Sequence, residues 1–173
     1  MYKRLILVLV SVLAFSSAGY AIDKGAVELG TDASMVFESV YGHNYFSLTA
    51  PTQFRFGAFV SPNASLELRL ATVLVSSGGG TATATSLMLG VSAHFSGAAS
   101  SPLPFAEVVA TMDAVTGHHD ASQFGLGGGV GVKGHGHPFN PRVELMVVRR
   151  MESERYAGVT TVQVNLGVSF FSK

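Results

Sequence analysis

Tyr45-Phe46-Ser47-Leu48-Thr49-Ala50-Pro51-Thr52-Gln53-Phe54-Arg55-Phe56-Gly57-Ala58-Phe59-Val60 alternates along its length. Phe46, Leu48, Ala50, Phe54, Phe56, Ala58 and Val60 share one parity, while Tyr45, Ser47, Thr49, Gln53, Arg55 and Gly57 take the other. A period of two is the mark of a β-strand with one dry and one wet face.

The same period recurs on both sides of this stretch. Before it, Val27 to Phe37 sets Val27, Leu29, Ala33, Met35 and Phe37 against Glu28, Gly30, Asp32 and Ser34. After the turn Ser61-Pro62-Asn63-Ala64, a third strand, Ser65 to Val75, opposes Leu66, Leu68, Leu70 and Leu74 to Ser65, Glu67, Arg69 and Ala71. Gly78-Gly79-Gly80 marks a loop. Thr83 to Phe95 then opposes Leu87, Leu89, Val91, Ala93 and Phe95 to Ser86, Gly90, Ser92 and His94.

Four more strands follow the Ser- and Ala-rich turn Ser96 to Leu103. They are Pro104 to Ala114, Ser122 to Lys133, Arg142 to Arg150 and Val159 to Phe170. Eight alternating segments, most of them as long as the roughly 9–11 tilted residues that cross a bilayer, predict an all-β, eight-stranded antiparallel up-and-down transmembrane barrel.

Composition supports that reading. The 173-residue chain carries 13% charged residues, 20 glycines and no cysteine. A soluble domain has about 25% charge. Lys3 and Arg4 followed by the apolar run Leu5 to Phe15 and by Gly19-Tyr20-Ala21 read as an export signal, residues 1–21, ahead of a barrel domain, residues 22–173. The apolar run is too short to span a bilayer, which takes roughly 20 residues. Loss of Lys3 and Arg4 would leave nine basic against 11 acidic residues. That near-neutral balance argues against a nucleic-acid partner.

Period alone does not say which face points outward, since a soluble barrel lines its interior with the apolar face. Here the polar face is small, poor in lysine and rich in glycine at 125, 127, 129 and 131. Such a face suits a crowded lumen, so the apolar face is expected to meet lipid. With the N-terminus in the periplasm, Phe59, Phe95, Phe105, Phe139 and Phe170 fall at periplasmic strand ends. Phe37, Tyr41, Tyr45 and Tyr156 fall at the opposite ends. Two aromatic girdles at the membrane interfaces are expected from this sorting.

The alternation Phe124-Gly125-Leu126-Gly127-Gly128-Gly129-Val130-Gly131-Val132-Lys133, the opening Arg142-Val143-Glu144, and the last strand with Val164, Leu166, Val168 and Phe170 carry a resemblance. The chain resembles the small eight-stranded outer-membrane barrels of the OmpX and OmpA transmembrane-domain type. The resemblance implies the outer membrane of a Gram-negative bacterium, a last strand recognised by the barrel assembly machinery, and no particular activity, because one fold hosts many functions.

Charges on the polar parity are the leading site candidates. Glu28, Arg55, Glu67, Arg69, Glu107, Lys133, Arg142 and Glu144 are expected to form an ion-pair network inside the lumen, because buried charges are tolerated only when paired. Asp32, Asp113 and Arg150 share that parity. A structural plug is expected over an ion gate, since eight strands enclose just enough room for side chains. Arg149, which breaks the apolar parity, together with Arg150 and Arg155 forms a cluster that could contact lipopolysaccharide phosphate or snorkel at the interface.

Histidines give weaker signals. His118 and His119 beside Asp120, His135 and His137, and the isolated His43 and His94 lack the ligand spacing of a rigid zinc site. No metal and no cofactor is expected. Lipid A deacylases carry a His and a Ser on the lipid-facing wall near the outer rim, whereas no histidine lies between Val143 and Phe171 here. Ser153 and Glu154 alone cannot form a triad, so a non-enzymatic protein is expected.

The expected role is a structural or stress-related barrel, monomeric, with outer-membrane lipid and lipopolysaccharide as its surroundings. A narrow pore or lateral port for ions or small apolar compounds is the alternative, and an adhesin a third. The outer loops expected near Glu38 to Asn44, Ser76 to Ala82, Val115 to Ala121 and Met151 to Gly158 are short, which weakens the adhesin reading.

Overall fold

The computed structural model describes residues 24–40, 43–77, 80–95, 102–116, 121–134, 139–153 and 157–172. The expected export signal, Tyr41, His118, His119, Asp120, His135, His137, Glu154, Arg155 and Tyr156 lie outside them. Eight strands run β1 (Val27–Val40), β2 (His43–Ser61), β3 (Ala64–Ser77), β4 (Gly80–His94), β5 (Leu103–Thr116), β6 (Ala121–Lys133), β7 (Asn140–Arg150) and β8 (Val159–Phe171). Each pairs antiparallel with the next, and β8 closes on β1 to form a barrel.

The register sets the barrel's size. Paired residues lead from Val27 through Ala58, Leu66, Val91, Val108, Gly128, Val147 and Val162 to Phe37, ten positions further along β1. A stagger of about 33 Å along the strands against eight spacings totalling about 38 Å gives a tilt of about 41° and a radius of about 8 Å. At that tilt the shortest strand, the 11-residue β7, rises about 27 Å, enough for an apolar band about 25 Å tall.

The faces fall as the alternation predicts. Leu29, Phe54, Phe56, Leu68, Leu89, Leu126, Val130 and Leu145 are exposed on the outer wall, with Phe54 at 73% and Leu89 at 58%. Glu28, Arg55, Glu67, Arg69, Lys133, Arg142 and Glu144 are buried inside. A wall that is apolar outside and charged inside belongs in lipid.

Three expectations need correction. The first concerns the loops, because pairing runs to Val40↔His43 and Ser77↔Gly80. Most of the expected loops Glu38 to Asn44 and Ser76 to Ala82 is therefore strand. The second concerns β2, whose alternation is uniform but whose pairing is not. Asp32 pairs Gln53 but Ser34 pairs Thr49, so Ala50, Pro51 and Thr52 bulge opposite Ala33. Two extra residues leave the parity intact, and Phe46 and Phe54 both remain exposed.

The third correction concerns the aromatics. Phe139 and Phe170 meet edge to face outside, with centroids 4.6 Å apart, as an interfacial girdle would. Phe59 and Phe105 do not join them, since each is 2% exposed and points into the lumen. Their parity decides it: Phe59 continues Arg55 and Gly57, and Phe105 precedes Glu107.

Candidate functional site

The lumen is built in layers, best followed upward from the end that carries the chain termini. The floor is aromatic. Phe59 lies 4.9 Å from the His94 ring and 6.0 Å from Phe171, and His94 lies 6.1 Å from Phe105. Ala26 and Leu103 pack against the same cluster. His94 Nε2 and Ser65 Oγ are hydrogen-bonded at 2.9 Å.

Charges fill the next layer. Glu67 is its hub, with Lys133 Nζ at 2.7 Å, Arg142 Nη1 at 3.0 Å, Arg69 Nη2 at 3.2 Å and Arg55 Nε at 3.8 Å. Lys133 also reaches Glu28 at 2.7 Å. Arg69 binds Glu144 at 2.9 Å and Glu107 at 2.5 Å, and Arg142 binds Glu144 at 3.0 Å. Arg55 binds Glu28 at 3.1 Å and pairs with Asp32. All eight residues of the expected network therefore meet in one cluster, with Asp32 as a further member.

Neutral groups complete that layer. Ser92 Oγ donates to Glu67 and Glu107, Asn165 Nδ2 donates to Glu144 at 2.9 Å, and Ser169 Oγ donates to Glu28 at 2.6 Å. Below, Arg142 and Lys133 sit 4.3 and 4.9 Å from the centre of the Phe105 ring, where a cation is attracted to the π face. Floor and charge layer thus form one continuous plug.

Glycines make room for it. At Gly167 a Cβ would overlap the Asp32 carboxyl, and at Gly131 it would stand 2.6 Å from the Phe105 ring. At Gly127 and Gly129 a Cβ would instead crowd the Val147 and Leu145 carbonyls of β7, so the glycine alternation of β6 lets the two backbones lie close as well as making room for the Phe105 ring.

Above the plug, Met88, Val109, Met146 and Val148 form a buried apolar cluster inside the lumen. The sequence reading misses this layer. Its signal is present all the same, since Val109 and Met146 share the parity of Glu107 and Glu144. The far mouth holds a second, half-exposed ion cluster. Arg150 binds Asp113 at 2.5 Å and Glu38 at 3.5 Å, and donates to Thr161 Oγ1 at 2.5 Å.

Of the three arginines grouped as a lipopolysaccharide contact, the two described ones point different ways. Arg150 turns into the mouth, Arg149 is exposed outside and donates to Thr160 at 2.9 Å, and Arg155 lies outside the described residues.

No protein-family model and no curated protein matches the chain. Among solved structures, it resembles the N-terminal β-barrel domain of OprF from Pseudomonas aeruginosa, at 13% identity over 86% of this chain and 100% of that one, with a TM-score of 0.55. A structure of Ail, the attachment invasion locus protein of Yersinia pestis, is similar at 10% identity over 85% of this chain and 99% of that one, with a TM-score of 0.49. The fold is that of the small eight-stranded outer-membrane β-barrels.

Proposed function

We propose that this chain is a structural barrel of the Gram-negative outer membrane, non-enzymatic and monomeric, whose lumen is closed by its own side chains. The observation that carries the reading is the plug. Four cations, Arg55, Arg69, Lys133 and Arg142, interlock with five carboxylates, and none of these side chains is more than 2% exposed.

A lumen of about 8 Å backbone radius has little room left once such side chains cross it. The aromatic floor beneath excludes water further. With the termini on the periplasmic side, plug and floor lie toward the periplasm, and Arg150 with Asp113 and Glu38 lines the outer mouth. Arg149, exposed beside that mouth, supports a contact with lipopolysaccharide phosphate, which the planar fork of arginine suits.

Planar-bilayer recording of the refolded protein tests the reading. The expected result is rare, small openings. A large and steady conductance would overturn it in favour of an open pore.

A further inference from the structure

The lumen changes character above the plug. Long arginine and glutamate side chains give way to small ones, with Ala71 on β3, Ser86 on β4 and Gly125 on β6. Ser86 and Asp113 are paired neighbours on the lumenal parity, yet both are only half-buried, so solvent reaches this level from the far mouth. Met88, Val109 and Met146, from the buried apolar cluster, lie between it and the plug. The outer half of the barrel therefore holds a blind chamber with an apolar floor.

Two polar side chains of this level are buried without a partner. Thr111 on β5 is 2% exposed and Gln163 on β8 is 6% exposed, and neither Thr111 Oγ1 nor Gln163 Oε1 has a hydrogen-bond partner among the described residues. At the tilt given above, each residue rises about 2.5 Å along the axis and each step to the next strand about 3 Å. Thr111 and Gln163 then fall within about 1 Å of one height, with Val109 and Met146 about 3–5 Å below them.

Their strands are three places apart in the ring of eight, which sets the two backbones about 15 Å apart across a lumen of this radius. The two groups are thus too distant to satisfy each other and leave room for a third. A Cβ at Gly125 would stand 2.7 Å from Thr111 Oγ1, so only glycine fits beside that hydroxyl. Buried polar groups are almost always hydrogen-bonded, and a pair left open at one height calls for an occupant.

The mouth supplies charge. Asp113 is the next lumenal residue above Thr111, and it shares Arg150 with Glu38, two carboxylates to one guanidinium. Among the described residues, the lumen at the mouth therefore carries one uncompensated negative charge. Thr111, Gln163 and Asp113 together offer three acceptors, and a primary ammonium has three donors and no acceptor.

We infer that the chamber binds a small alkylammonium ion, its ammonium held by Thr111, Gln163 and Asp113 and its hydrocarbon part set down on Met88, Val109 and Met146. The inference goes beyond the structural reading and does not depend on it, because the chamber lies above the plug and stays in place whether or not the plug conducts.

The methionines report occupancy. Met88 and Met146 lie at the chamber floor, whereas Met112 is exposed on the outer wall and Met35 shares that outward parity. The refolded protein, isotopically labelled at the methionine methyl carbons, is titrated in detergent micelles with n-butylammonium and followed by nuclear magnetic resonance. The Met88 and Met146 signals should shift saturably, with a midpoint below about 10 mM, while those of Met35 and Met112 stay in place. Uncharged 1-butanol and anionic butyrate should give no saturable shift at Met88 or Met146.

Gln163→Leu and Thr111→Val each remove one acceptor at nearly constant volume and should raise the midpoint at least about fivefold, with unboiled gel migration unchanged. Ser86→Phe, which puts a ring into the chamber and leaves the acceptors intact, should abolish the saturable shift. No saturable shift in the unmutated protein, or a midpoint indifferent to Gln163→Leu and Thr111→Val, would overturn the site. Met35 and Met112 moving in step with Met88 would assign the response to the micelle and overturn it equally. A matching response to 1-butanol or butyrate would overturn the ammonium as the group recognised.

Discussion

Replacing Arg69 by alanine isolates the energetics of the plug. Its guanidinium holds Glu107 at 2.5 Å, Glu144 at 2.9 Å and Glu67 at 3.2 Å, with 2% of the side chain exposed. Removal leaves five carboxylates against three cations and strips from Glu107 and Glu144 the guanidinium they share. Breaking a buried pair from one side costs about 3–5 kcal/mol in a dry interior. The vacated space admits roughly three waters at ~30 Å³ each, and their solvation offsets part of that cost.

If water halves it, about 2 kcal/mol remains, which at an m-value of about 2 kcal/mol/M lowers the urea midpoint by about 1 M. The heat-dependent gel shift of refolded protein reads that midpoint, and planar-bilayer recording reads the accompanying rise in conductance. Arg69→Ala with Glu144→Ala removes one charge of each sign. The double variant should therefore lose at least about 1 kcal/mol less than the two single losses together. An unchanged midpoint, or strictly additive losses, would refute the claim that these charges act as one network.

Leu68→Arg and Leu89→Arg should each cost about 2–4 kcal/mol of folding free energy in lipid vesicles, because both face mid-membrane lipid. Ser86→Arg, beside Asp113 on the lumen parity, should cost far less, and equal costs would mean the faces are reversed. Gly167→Ala should lower the urea midpoint more than Gly57→Ala. The new methyl would meet Asp32 and the Thr31 carbonyl in the first case, but only the Glu28 Cβ, at 3.2 Å, in the second. The refolded protein should show β-type circular dichroism in detergent and migrate differently on a gel when unboiled, since a closed ladder resists detergent. Identical migration would count against closure.

How much of the barrel is legible in the sequence follows from what a period of two can carry. It assigns each residue to a face and is blind to height. It therefore places Glu67, Arg69, Lys133, Arg142 and Glu144 together inside but cannot say which of them touch. That depends on a ten-residue stagger, a property of the closed wall that no single strand contains.

Phe59 and Phe105 show the opposite failure. Their parity is plain, yet their position at strand ends suggests a girdle where the barrel has a lumenal floor. Parity outranks position in such a case, because a one-residue slip turns every side chain of a strand to the other face.

Pro51 belongs with them. A proline inside an otherwise alternating strand is itself the signal of a bulge or an edge. The bulge adds two residues, so it hides from the alternation while shifting the pairing of β2 with β1. The register shift is thus invisible to the periodicity that reveals the barrel, and Pro51 is its trace in the sequence.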